Sequence, residues 1–97
     1  MYVQYAYMVV WDADKARSNY RKHGIPFSNA ATVLDDPLAL TFEDERHGEQ
    51  RFVTIGSDNE GRILVVVYAY PMGTEDIRLI SARLAQASER RQYEQNA

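Results

Sequence analysis

Ninety-seven residues with 45% hydrophobic content can bury one modest core, so a single globular domain over 1–97 is expected. The chain has no cysteine, which excludes disulfides, thiolate catalysis and thiolate zinc sites, and its net charge of −3 argues against a dedicated nucleic-acid binder with a basic surface. No stretch approaches the ~20 apolar residues that span a bilayer, and the start carries neither a basic n-region nor a small-residue cleavage pattern, so a cytoplasmic protein with no membrane partner is expected.

Residues 2 to 10 are rich in Tyr and Val and read as a first strand, closed by Trp11-Asp12. Tyr2, Tyr5 and Tyr7 on such an edge strand would allow pairing with a second copy. Asp12 is a good N-cap for a helix from Ala13 to His23, with Asp14 suited to the dipole and Gly24 at the stop. Ala13, Ala16, Tyr20 and His23 recur at helical spacing and predict its inward stripe. Ser28 is expected to cap a short helix to Leu34, ended by Asp35-Asp36-Pro37.

Four strands follow. Leu38 to Glu43 comes first, with Leu38, Leu40 and Phe42 on one face. A polar loop, Asp44 to Gln50, leads to the second, Arg51 to Ser57, in which Val53 and Ile55 lie opposite Phe52 and Thr54. Arg62 to Tyr70 is almost continuously apolar and should be central. Asp76 to Arg83 is the last strand, and Ser88 is expected to cap a final helix to Gln95. The fold class is therefore α+β: a mostly antiparallel sheet of four to five strands, with two N-terminal helices and a C-terminal helix gathered to one side.

The last strand carries the chemical question. Strict alternation puts Ile77, Leu79, Ser81 and Arg83 on one face and Arg78, Ile80 and Ala82 on the other. Each guanidinium needs a carboxylate, a phosphate or open solvent, and a regular strand cannot aim both into one site. From 77 to 91 the chain holds Arg78, Arg83, Arg90 and Arg91 against Glu89 alone. Arg83 could pair with Glu89 or Asp76. Two distant histidines and scattered carboxylates show no metal-ligand spacing, so neither metal nor cofactor is expected.

Several segments together resemble one family. Trp11-Asp12-x-x-Lys15-Ala16, Asn19-x-x-Lys22-His23-Gly24-Ile25-x-Phe27 and Ala30-Ala31-x-Val33-x-Asp35-Asp36-Pro37 are similar to the N-terminal half of BrnT-type toxins. Arg51-Phe52-Val53-Thr54-Ile55-Gly56, Leu64-Val65-Val66-Val67-Tyr68, Ile80-Ser81-Ala82-Arg83 and Glu89-Arg90-x-x-Tyr93-Glu94 resemble the rest. The resemblance runs from Trp11 to Glu94. It implies a RelE-like ribonuclease fold and a toxin of a type II toxin–antitoxin pair that cleaves RNA without a metal and inhibits translation. It also implies a partner: a dimeric ribbon-helix-helix antitoxin, in a heterotetramer that meets operator DNA only through the antitoxin.

Such cleavage needs a base for the 2′-hydroxyl, cations around the phosphate and an acid for the leaving 5′-oxygen. The resemblance points to Arg83 for the phosphate, since an arginine on the last strand faces it in RelE-like toxins. Arg78 and Arg51 are its candidate neighbours, with surface charge as the competing reading. Glu45, His47 and Glu49 in the polar loop offer acid–base groups, against solvated loop side chains. His23 reads as a residue favoured by the helix dipole. Tyr93 could stack on a base or pack the last helix down. RelE itself uses lysines at its centre, whereas Lys15 and Lys22 here both lie in the first helix, so catalytic cations would be arginines. The acidic balance and this lysine placement also fit an alternative, a non-catalytic module that pairs with an antitoxin-like partner and tunes its DNA binding.

Overall fold

The apolar run from Ile63 to Ala69 forms the middle strand of a five-stranded sheet and packs on both faces. In the computed structural model, which describes residues 8–45, 48–71, 73 and 75–96, the order is β1 (Val9–Val10), α1 (Ala13–His23), α2 (Phe27–Thr32), β2 (Leu40–Asp44), β3 (Arg51–Ser57), β4 (Ile63–Ala69), β5 (Ile77–Leu84) and α3 (Ala87–Asn96). The sheet order is β1-β5-β4-β3-β2. The pairings from β2 to β5 are antiparallel, but β1 runs parallel to β5, so the sheet is mixed. Alternation along a strand is the same whichever way its neighbour runs, which is why the sequence did not reveal this. Tyr2, Tyr5, Tyr7 and His47 lie outside the described residues.

The helices are not gathered to one side. Ile25 and the α2 residues Phe27 and Ala30 pack, together with Val33, on Leu64, Val66, Tyr68, Leu79 and Ala82. On the opposite face Tyr93 of α3 packs against the cluster of Ile55, Val65 and Ala85. Alternation along β4 supplies both layers, because Leu64, Val66 and Tyr68 point one way and Val65 the other.

Local signals explain most element ends. Asp12 accepts the Lys15 N–H at 3.0 Å, and Gly24 ends α1 at φ 72°, a left-handed turn that glycine adopts without steric cost. The inward stripe of α1 differs from the expected one. Asn19 is buried and Ala16 and His23 are half-buried, whereas Ala13 and Tyr20 are exposed. Asn19 faces inward because β5 needs it. Its side-chain amide donates to the Ala82 carbonyl at 2.8 Å and to the Ile25 carbonyl at 3.4 Å, and its oxygen accepts the Ala82 N–H at 3.1 Å. β1 pairs only with Ile77 and Arg78, so Asn19 stands in for the missing strand at Ala82.

Two caps fall elsewhere than expected. α2 begins at Phe27 behind Pro26, whose fixed φ of −67° sets the entry, so Ser28 is not the cap. α3 begins at Ala87, before Ser88, and Glu89 accepts the Gln86 N–H at 2.8 Å in the manner of one half of a capping box. Gly56 allows the segment after α2 to close on β3. A Cβ there would stand 3.0 Å from Val33 Cγ1 and from Ala39 Cβ, and 3.2 Å from Asp36 Oδ2.

Candidate functional site

Pairing across the sheet gives the address of each candidate side chain. Arg51 and Arg78 both pair with Ala69, and Arg83 pairs with Val65. Ala69 and Val65 are an even number of residues apart, so all three arginines project from the α3 face. This overturns the expectation that Arg78 and Arg83 point to opposite sides. Val67 pairs with Ser81 and Tyr68 with Leu79, which leaves Ile80 without a partner on β4. The extra residue is a β-bulge, and it restores the phase that alternation alone would lose. Arg78 and Arg83 share one face, four residues apart along β4, or roughly 13 Å.

Each arginine has a carboxylate beside it. Arg83 meets Glu89 with two parallel bonds of 2.8 Å, a fork-to-fork pair. The Glu89 hydrogen bond raises the Arg83 pKa, and in return the Arg83 hydrogen bond holds the Glu89 carboxyl below its ordinary value. The pairing with Glu89 foreseen as the competing reading is thus the one the structure contains. Glu49 lies between the other two arginines, 2.7 Å from Arg78 and 3.3 Å from Arg51. Ala69 separates Arg51 from Arg78 in the row and is itself fully buried. A sequence clue to Glu49 exists in its spacing, since Glu49 and Arg51 are two apart at a strand entrance. Its link to Arg78 spans 29 residues and has no such clue.

The remaining candidates lie around this face. Glu45 borders a groove with Phe42, Val53, Glu89 and Gln92. Tyr93 is half-buried, and its hydroxyl donates to Asp36 Oδ2 at 2.7 Å. That carboxylate also accepts the Ser57 and Leu38 N–H groups, each at 2.9 Å. Burial alone would raise the Asp36 pKa, but the bonds from Ser57, Tyr93 and Leu38 together lower it. Tyr93 is raised, first by its bond to Asp36 and then by burial.

Tyr93 thereby ties α3 to the turn before β2, and the signs of the two shifts give a test. Asp36 contributes stability above its ordinary carboxyl range that is lost as pH falls through its lowered value. Tyr93 contributes stability below about 10 that is lost as pH rises through its raised value. Tyr93→Phe is expected to cost about 1 kcal/mol at pH 7 and to flatten the alkaline arm of the stability curve. Urea unfolding at pH 7 and above 10 measures both, and unchanged curves would remove the Tyr93–Asp36 tie.

Residues 11–89 match the family model described as ribonuclease toxin, BrnT, of type II toxin–antitoxin system, which makes this chain a toxin of that class. It belongs to the BrnT ribonuclease toxin family. The chain is also similar to the Brucella abortus ribonuclease toxin BrnT, known from a 1.1 Å crystal structure, with 29% identity and a TM-score of 0.65 over 84% of this chain and 99% of that one. No curated protein sequence matches it. Among the described residues, no helix is long and apolar enough to cross a membrane.

Proposed function

We propose that this chain is a metal-independent, RelE-like endoribonuclease that works from the arginine face of the sheet in the cytoplasm and inhibits translation. The observation that carries the reading is the bulge at Ile80, which gathers Arg51, Arg78 and Arg83 on one face with Glu49 among them. The 2′-oxygen attacks the adjacent phosphorus while Glu49 takes its proton. The bond to the 5′-oxygen breaks, and that oxygen is protonated by His47 or water. The arginines hold the phosphate oxygens as charge builds, and they cannot donate the proton themselves. Tyr93 contributes by fixing α3, and with it Glu89 and Arg83.

The partner in this reading is a dimeric ribbon-helix-helix antitoxin that covers the arginine face. It forms a heterotetramer with the toxin and supplies the contact with operator DNA. The test is purified toxin with RNA in excess EDTA, with and without the antitoxin. Cleavage is expected to persist in EDTA and to stop when the antitoxin is added. Cleavage that fails in EDTA and returns with a divalent cation would overturn metal independence.

One observation favours a second reading, a non-catalytic module that binds an antitoxin-like partner: the three arginines of the face are already ion-paired. Tight partner binding with no cleavage under any condition would select it.

A further inference from the structure

Away from the arginine face, α1 and the bulged part of β5 enclose a small polar cleft of about 210 Å³. Lys15, Ser18, Asn19 and Lys22 recur along one side of α1 at three- and four-residue spacing, His23 follows, and Ile80 and Ser81 close the cleft from β5. Both lysines of the chain therefore face one opening. No carboxylate lines it, and among the described residues neither lysine side chain nor the His23 ring has a hydrogen-bond or ion-pair partner. The contrast with the arginine face is chemical. There, Glu49 and Glu89 answer the cations, while here they are unanswered.

We infer that this cleft is a phosphate-binding subsite for a single-stranded nucleic acid whose path crosses the edge of β5 at the bulge. Two ammonium groups supply mobile point charges for a phosphate, and the Ser18 hydroxyl and the His23 ring add polar contacts from α1. Asn19 is committed to Ala82 and serves as the wall. The size suits one phosphate group, and Ile80 is the one apolar side chain in the lining, so an acidic peptide would find little to anchor it. The bulge itself gives continuity: Ser81 sits between Arg78 and Arg83 on β5, so a strand leaving the cleft arrives beside the arginines. That the strand is RNA rests on the function proposed above, whereas the phosphate chemistry stands on the cleft alone.

The probe is a fluorescent, fully 2′-O-methylated RNA strand, which this chemistry cannot cleave, so binding is read apart from activity. Lys15→Ala/Lys22→Ala is expected to weaken binding about fivefold at 0.1 M salt and to lower the slope of log affinity against log salt by about 0.7, the loss of one phosphate contact on a single strand. Lys15→Arg/Lys22→Arg is expected to restore both. In the unmodified chain the amide signals of Ser18, His23 and Ser81 are expected to move in a titration followed by NMR. An alanine pair that binds like the parent with an unchanged slope overturns the subsite, as do amide signals that stay still while those of Arg51 and Arg78 move. An alanine pair that keeps the strand but loses the antitoxin makes the cleft a protein contact and also overturns it. Cleavage of ordinary RNA, measured on the same samples, reports separately on the arginine face.

Discussion

Arg83→Ala is expected to lower RNA cleavage by roughly 10²–10³-fold, the range for removing one well-placed donor from a developing anion, while the chain keeps its fold. The loss in stability is expected to be small, about 1 kcal/mol or less. The Arg83 side chain is 37% exposed and Glu89 22%, so solvent screens much of their attraction. Glu89 would also keep its bond to the Gln86 N–H. A variant that cuts RNA at the parent rate would show that Arg83 does not meet the phosphate. Glu89→Gln separates the roles further. If Arg83 must leave Glu89 to bind a phosphate, that variant is expected to bind RNA more tightly. If the pair only anchors α3, the same variant is expected to lose stability with no gain in RNA affinity.

The second large effect concerns stability. Asn19→Ala is expected to cost about 3 kcal/mol, because it removes three hydrogen bonds and strands the buried N–H and carbonyl of Ala82. Asn19→Asp keeps the size but sets a carboxylate oxygen against the Ala82 carbonyl. Its protonated form can donate that hydrogen bond and its ionised form cannot. The carboxyl pKa is therefore raised in the folded chain, and the variant is expected to gain stability as pH falls through that value. Urea midpoints for both variants from pH 4 to 8 measure this. An Asn19→Ala midpoint equal to the parent's would mean that water satisfies Ala82 equally well.

Much of the frame was legible in the sequence, for reasons that differ by element. α1 runs over the expected residues because Asp12 and Gly24 are strong stops. β3 does so because polar loops bracket a clean alternation. The central place of β4 followed from an apolar run that only two covered faces explain. What failed involved partners distant in the chain. The direction of β1 depends on β5, which lies more than sixty residues away. Nothing local marks Asn19 for the stripe, because a polar residue facing inward makes sense only once Ala82 is known to lie there. The side taken by α3 also had no local signature, since most of its residues are exposed and Tyr93 is its main inward anchor.

Of the candidate site, charge and resemblance single out Arg51, Arg78 and Arg83, and the polar loop offers Glu49. Their arrangement was not legible, because a single unpaired residue changes which side of a strand every earlier residue occupies.

That residue, Ile80, gives the chain a parity. Deleting it would leave an equally apolar and apparently regular β5, one residue shorter, with no new charge. Held in register at Arg83, the shortened strand would still pair Ser81 with Val67, Leu79 with Tyr68 and Arg78 with Ala69, so every side chain would keep its side. A residue added between Ser81 and Arg83, with the bulge kept, would instead turn Arg78 toward the layer of Phe27 and Val33, and Ile77 and Leu79 out among the carboxylates. An added residue is thus graver here than the loss of Ile80. In this fold the register of one strand is itself a functional specification, independent of which residues fill it.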